Sequence, residues 1–190
     1  MKWKVGDKVV FVPQGPCRVD GVVMKTIAGQ LSRFYRLSLL DDSGDLVFVP
    51  SDKLKPPAIR PLITEAELPK VFSSLEGSRP ASANWRQRAI EQAKLFASGS
   101  AFDLAEIVES LTQMGEGRAL LSRDRQTLEK AKRLLICEIS EVTGATRSAT
   151  EERVDRILGL QREHPTTPTV ARLRRDWLDT RAVKRPPVNV

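Results

Sequence analysis

Trp85 and two arginines close to it could together bind a partner that is flat and anionic. The stretch "SANWRQRAIEQAKLFASG" reads as one helix and places Trp85 in its first turn, with Arg86 and Arg88 beside it. The free N–H groups of a helix N-terminus attract anions, and arginines bind phosphate. An indole among such groups could insert at a base step or stack on an unpaired base. The stretch therefore predicts a nucleic-acid contact.

The same tryptophan can also be interpreted as a packing residue. At 100° per residue, Trp85 falls at the edge of an apolar arc. The arc consists of Ala89, Ile90, Ala93, Phe96 and Ala97. The pattern alone leaves core packing and exposed binding equally open.

A second basic cluster lies between residues 118 and 133, with a net charge of +4. Its cations are Arg118, Arg123, Arg125, Lys130, Lys132 and Arg133, against the acids Asp124 and Glu129. The cluster starts in a loop and continues into a helix, so several cations lie near a helix N-terminus. It could bind phosphates, or it could be an ordinary solvated face.

Catalytic and metal-binding patterns are not found in this sequence. The chain has one histidine, His164, and two distant cysteines, Cys17 and Cys137. It has neither GxxxxGK[ST] nor GxGxxG, and Gly115-Glu116-Gly117 reads as a polar loop. Cys137 lies in "LLICEIS", in the middle of a helix, where a buried structural thiol is expected. We therefore expect no enzymatic activity, no metal and no cofactor.

The charge and hydropathy of the chain favour a cytoplasmic protein with an acidic partner. The 190 residues carry a net charge of +7 with a pI near 9.7. This charge is uneven: +4 over residues 1–63, −1 over 64–163 and +4 over 164–190. No apolar run is long enough to span a membrane, and the N-terminus lacks the apolar region of a signal peptide.

The first 55 residues predict a small β domain. Short β-branched runs alternate with Gly and Pro, and "RFYRLSLL" and "LVFVP" flank the turn residues Asp42-Ser43-Gly44 as a hairpin. Four or five short strands in this length are typical of an SH3- or Tudor-like barrel. Residues 56–63, rich in proline, predict a linker.

From Thr64 the pattern becomes helical, which makes the predicted fold class α+β. The predicted helical domain spans residues 64–162 and contains five helices. These begin near Thr64, Asn84, Ser100, Ser122 and Ser148, and "GEGRALLS" is a predicted loop before the fourth. Residues 163–190 form a basic extension, with a short helix predicted over 169–181. This extension could be loosely attached, or it could add DNA contacts through its charge and Trp177.

Taken together, these segments resemble the CarD/CdnL family of bacterial transcription regulators over about residues 1–158. The resemblance rests on "KVGDKVVF", a proline-rich join, Asn84-Trp85 at the head of a helix, "FASG", "AEIVESL" and "LSRDRQTLEKAKRLL". It implies a β domain similar to the polymerase-interacting domain of transcription-repair coupling factors, and a helical domain that contacts promoter DNA.

The resemblance also implies roles for individual residues. The β domain would dock on the β subunit of RNA polymerase, partly by edge-to-edge strand addition, with Lys25 and Ile27 of "MKTIAG" in the contact. A second contact position, basic in some family members, is Phe48 here. Trp85 would wedge into the minor groove at the upstream edge of the promoter bubble. Arg86, Arg88 and Arg125 would contact DNA. Arg118, Arg123 and Lys130 are further candidate DNA contacts because they belong to the basic cluster between residues 118 and 133.

The sequence thus predicts a non-enzymatic factor that binds the polymerase and stabilises the open promoter complex. Tethering to the polymerase would make a large basic surface unnecessary. Two alternatives stay open, a free-standing DNA- or RNA-binding module and a protein adaptor without DNA contact.

Overall fold

An antiparallel sheet followed by helices makes up the fold. The computed structural model describes residues 3–41, 43–77, 81–82 and 84–159. The strands are β1 (Lys8–Phe11), β2 (Gly15–Ile27), β3 (Gln30–Leu39), β4 (Leu46–Pro50) and β5 (Ile59–Pro61). A 3-10 turn (Glu65–Glu67) precedes α1 (Leu68–Leu75), α2 (Trp85–Ser98), α3 (Ala101–Gly117), α4 (Ser122–Thr143) and α5 (Arg147–Ile157). The prediction of an α+β fold with a small β domain and about five helices is confirmed.

The five strands are arranged in the order β4-β3-β2-β1-β5, with every pair antiparallel. The hairpin of β2 and β3 is the largest part, and its strands of 13 and 10 residues are longer than the short strands predicted. The inner face of the sheet buries a separate apolar cluster, consisting of Val9, Cys17, Val19, Tyr35, Leu37, Val49, Leu54 and Ile59.

The strand β5 lies inside the segment predicted as a linker, so that prediction was wrong for these residues. Ile59 is fully buried in the sheet cluster. Ile63 is buried in a second apolar cluster, the helical core, to which α1, α3, α4 and α5 contribute. The prolines at 56, 57 and 61 give the segment the composition of a linker. Among the strands that the structure describes, β5 is an edge strand that pairs with β1, and a proline is tolerated in such a strand.

The beginnings of the helices follow from their capping residues. The Thr64 amide donates to the Glu67 carboxylate at 2.8 Å, which is the bond that the Glu side chain of the predicted capping box makes, and the Thr64 hydroxyl donates to the same carboxylate at 2.8 Å. These bonds lower the pKa of the exposed Glu67 carboxyl. Pro69 lies in the first turn of α1, which therefore begins after the 3-10 turn.

Two helix ends differ from the prediction. α3 continues through Gly115 and Gly117, so the predicted loop is reduced to residues 118–121. Helix propensity is a weak prior that tertiary context can override. α5 ends at Ile157 rather than near residue 162. The predicted helix over 169–181 lies outside the described residues.

Two glycines let the sheet and the helices approach closely. Gly15 begins β2 with a φ of 108°, and a Cβ there would lie 2.5 Å from Leu134 Cδ2 of α4. Gly99 ends α2 with a φ of 65°, and a Cβ there would lie 2.2 Å from Val12 Cγ2. Both positions therefore require glycine for the backbone angle and for space.

A buried ion pair joins β5 to α4. Arg60 Nη1 and Nη2 donate to the two carboxylate oxygens of Glu138 at 2.6 and 2.8 Å. The same carboxylate accepts the Ile63 amide at 3.0 Å, and Arg60 Nε donates to the Gly99 carbonyl at 2.7 Å. Glu138 is almost fully buried, so these bonds satisfy a charge that water cannot reach.

Both cysteines are free and buried. Cys17 Sγ donates to the Gly15 carbonyl, and Cys137 Sγ donates to the Leu40 carbonyl, each at 3.2 Å. Desolvation raises the pKa of each thiol to about 12, so neither is a reactive thiolate at neutral pH. The prediction that Cys137 is a buried thiol within a helix is confirmed.

Candidate nucleic-acid interface

Trp85 is the first residue of α2, and its indole is exposed. The Asn84 side chain accepts the Arg86 amide at 3.0 Å and caps the helix, and Asn84 itself is extended. This cap starts the helix at Trp85. The Trp85 side chain is 49% exposed and does not belong to the helical core cluster. The indole is therefore half-exposed and is not part of the helical core, which contradicts the interpretation of Trp85 as a core packing residue.

The apolar arc of α2 does not face the core as a whole, since only Ala89 and Phe96 of its five residues are partly buried. Ile90 is 53% exposed, and Ala93 and Ala97 are also exposed. The buried residues of α2 are instead Arg88 and Gln92, and Leu95 and Phe96 pack partly against the core. The helix is rotated from its predicted orientation because a polar side chain, Arg88, faces inward. Hydrophobic periodicity cannot reveal that arrangement.

Arg88 therefore does not occupy the exposed position predicted for a phosphate ligand. It is 3% exposed, and its Nε and Nη2 bond to Asp124 Oδ1 and Oδ2 at 3.1 and 2.5 Å. Asp124 lies in the first turn of α4 and is 6% exposed. Because this guanidinium is committed to a buried carboxylate, we exclude Arg88 from the candidate DNA contacts.

The other predicted cations are exposed. Arg86 lies over the indole, with its Cζ 5.3 Å from the ring centroid of Trp85. Arg118 caps the end of α3 and donates to Met114 Sδ at 3.0 Å. Arg123 and Arg125 lie in the first turn of α4.

Lys130 lies apart from this group. Its Nζ is 5.4 Å from the ring centroid of Phe96, near the other end of α2. Lys132, another cation of the sequence cluster, binds Glu151 and Asp155 of α5. Only part of the cluster therefore lies near Trp85.

A cavity of about 180 Å³ joins the start of α2 to the turn between α3 and α4. It is lined by Trp85, Arg88, Met114, Arg118, Ala119, Leu120, Leu121 and Asp124. Leu121 is 57% exposed, an apolar side chain that sequence reasoning missed. The structure thus brings an indole, an exposed leucine and several cations together at one end of the helical region. We define the indole surface as Trp85, Arg86, Arg118, Leu121, Arg123 and Arg125.

The residues predicted to bind polymerase lie on the outer face of the sheet. A β-bulge between Val19 and Gly21 reverses the alternation along β2, which turns Lys25 and Ile27 away from the sheet core. Phe48 of β4 lies on the same face, and Lys25 Nζ is 3.4 Å from its ring centroid. We define the outer sheet face as Lys25, Ile27, Arg36, Leu46 and Phe48.

The strand β4 is an open edge within the described residues. Ser51 N donates to the Arg33 carbonyl and Leu39 N to the Asp45 carbonyl, each at 2.9 Å, which fixes the alternation of bonds between β3 and β4. Because alternate residues of a strand bond to opposite sides, the N–H and C=O groups of Leu46 and Phe48 point away from β3. These groups could pair with an added strand.

The described part of the chain has neither a helix suited to crossing a membrane nor a cluster of metal-ligating side chains. None of its helices is both long enough and apolar enough to cross a membrane. Across the same residues, His, Cys, Asp and Glu side chains form no group of three or more that could hold a metal ion.

Comparisons with known proteins account for most of the chain. Residues 3–63 match the model of the CarD-like/TRCF RID domain, and residues 70–155 match the model of the CarD C-terminal domain. YdeB of Bacillus subtilis (strain 168), whose name proposes it as a transcription factor, is 24% identical over 147 residues. That alignment covers 76% of this chain and 94% of YdeB. These matches point to a transcription protein rather than to an enzyme. With the sheet and the helices each matched by a domain model of the same kind, the chain belongs to the CarD family.

Proposed function

We propose that this chain is a cytoplasmic, non-enzymatic regulator that binds the β subunit of bacterial RNA polymerase and stabilises the open promoter complex. Trp85 would act as a wedge in the minor groove at the upstream edge of the bubble. The observation that carries the proposal is the half-exposed indole at the start of α2, with the Arg86 guanidinium over its ring and Arg118 lining the same cavity. The protein would reach the nucleoid through the polymerase.

The chemistry of the indole surface supports the DNA contact. Arg86, Arg118, Arg123 and Arg125 can bind phosphates on either side of a groove, while Trp85 and Leu121 offer apolar surface to a base step. Stacking on a base contributes about 1–3 kcal/mol. Closing the bubble would first have to displace the indole, so the complex would collapse more slowly.

The outer sheet face supports the polymerase contact. It combines exposed apolar side chains, Ile27, Leu46 and Phe48, with the cation of Lys25. Beside it, the backbone N–H and C=O groups of Leu46 and Phe48 point away from β3, along the edge of the sheet as far as the structure describes it. An added strand would gain backbone hydrogen bonds at the edge and side-chain contacts on the face.

Tethering explains why few cations suffice. A protein held on the polymerase has a high effective concentration at the promoter, so weak intrinsic affinity for DNA is enough. No base needs to be read by hydrogen bonds. Preference among promoters would come from the ease with which the bases at the bubble edge unstack.

The deciding experiment has two parts. Binding of the full chain to isolated β-subunit fragments is measured first, and then the decay of open complexes after a competitor is added, with and without the protein. We expect binding to the β fragment and slower decay. Strong, steeply salt-dependent binding to naked duplex without polymerase would instead indicate a free-standing DNA-binding module. A promoter complex without crosslinks from the helical region to DNA would indicate an adaptor.

The open edge gives a prediction for polymerase binding. Phe48→Pro removes the outward N–H as well as the ring, and leaves the bonds between β3 and β4 intact because the Phe48 amide does not take part in them. We expect Phe48→Pro to bind the β fragment roughly tenfold more weakly than Phe48→Ala, since one further backbone hydrogen bond is lost.

Phe48→Ala is the matched control, because it removes the ring and keeps the amide. Both variants should unfold at similar temperatures. Equal affinities of the two variants for the β fragment would mean that no strand is added at this edge.

A further inference from the structure

Asp124 is an acid in the middle of the proposed DNA surface. It lies between Arg123 and Arg125 in the first turn of α4. A free carboxylate there would repel phosphate and weaken the contribution of both neighbours. Its side chain is instead turned inward and is 6% exposed.

Arg88 neutralises this carboxylate and also binds the chain that leads into α2. Its Nε and Nη2 form the two bonds to Asp124, and its Nη1 donates to the Ser82 carbonyl at 2.6 Å. Arg88 lies three residues after Trp85, which is one turn of the same helix. One buried guanidinium therefore connects the segment before α2, the first turn of α2 and the first turn of α4.

We propose that Arg88 and Asp124 are positioning residues of the indole surface: their bidentate pair fixes the Trp85 indole relative to Arg123 and Arg125, and keeps the acid away from phosphate. This inference rests on the proposed function. Neither residue touches DNA. A planar guanidinium with two bonds to one carboxylate sets a direction as well as a distance, which a single charge does not.

If the pair served stability alone, replacing both of its members would affect neither the indole nor the open-complex lifetime. Replacing both members of a buried ion pair by apolar residues of similar volume is often neutral for stability, whereas removing one member is strongly destabilising. The double variant Arg88→Met/Asp124→Leu therefore separates the two roles. It can restore the fold without restoring the geometry that the pair imposes.

The test uses the full chain with Trp3→Phe and Trp177→Phe, so that Trp85 is the remaining tryptophan. Three quantities are measured: the thermal midpoint of unfolding, the nanosecond anisotropy decay of the indole in the free protein, and the open-complex lifetime. We expect Arg88→Met to lower the midpoint by roughly 10 °C. The double variant should recover most of that midpoint, yet show a larger fast component of anisotropy and lose most of the lifetime effect of Trp85.

Two further variants are measured in the same way: Arg88→Lys, which separates charge from geometry, and the control Lys94→Met. Lysine keeps the positive charge but cannot form two parallel bonds to the carboxylate, so Arg88→Lys should leave the indole more mobile than in the parent chain. Lys94 is an exposed cation of the same helix outside the indole surface, and Lys94→Met should match the parent in all three measurements.

Two results would overturn the inference: parent-like anisotropy and lifetime in the double variant, or full recovery of both by Arg88→Lys. The anisotropy is measured without polymerase or DNA. If Trp85 itself proved irrelevant to open-complex lifetime, the proposed function would fail, while the anisotropy would still decide whether the pair positions the indole.

Discussion

Trp85→Ala should remove most of the lifetime that the proposed wedge would add to open promoter complexes. The indole is expected to contribute the energy of one stacked base, about 1–3 kcal/mol, which corresponds to a roughly 5- to 150-fold faster collapse. Because the side chain is half exposed and outside the helical core, the free energy of unfolding should change by less than about 1 kcal/mol. Competitor-challenged decay of the open complex measures the first quantity, and urea unfolding measures the second.

The matched control is Ile90→Ala. Ile90 is an equally exposed apolar residue of the same helix and lies outside the indole surface. It should alter neither the lifetime nor the binding to the β fragment. If Trp85→Ala unfolded the protein, or if both variants shortened the lifetime equally, the wedge would be the wrong mechanism.

Arg60→Met should be among the most destabilising substitutions in the described part of the chain. It leaves the Glu138 carboxylate almost fully buried without its cation, and it removes the bond to the Gly99 carbonyl. Breaking a buried pair in this way costs about 3–5 kcal/mol. Urea unfolding followed by circular dichroism should show the transition at a lower urea concentration.

Lys8→Met provides the comparison. Lys8 binds Glu141, which is one turn after Glu138 on α4, at 2.8 Å, but both side chains of this pair reach solvent. An exposed pair contributes less than about 1 kcal/mol. An equal loss of stability in the two variants would show that the burial of Glu138 has no special importance.

Local signals were sufficient to predict where the helices begin. Asn84 and Gly99 bracket α2, and the capping box of Thr64 and Glu67 marks the start of the 3-10 turn before α1. These features act within a few residues of the chain, so they can be read directly from it. The exposure of Trp85 could be predicted only as one of two options.

Features that depend on distant partners could not be predicted. Arg88 faces inward because Asp124, 36 residues later in the sequence, provides its counter-charge. Ile59 is buried because β5 pairs with β1. Lys25 faces outward because of the bulge after Val19. The bulge shifts by one residue which side chains of β2 face the core, and the sequence carries no strong signal for such a shift. Leu121 was missed because a leucine in a short loop belongs to no helical or strand repeat.

The close approach at Gly15 and Gly99, together with the pair of Arg60 and Glu138, leaves little room for the helices to slide over the sheet. A polymerase-bound chain would then hold the indole at a fixed distance from the polymerase subunit. The base step that meets the indole would be chosen by length rather than by sequence. Promoters whose melting begins one base pair away, about 3.4 Å along the helix axis, would meet it out of register.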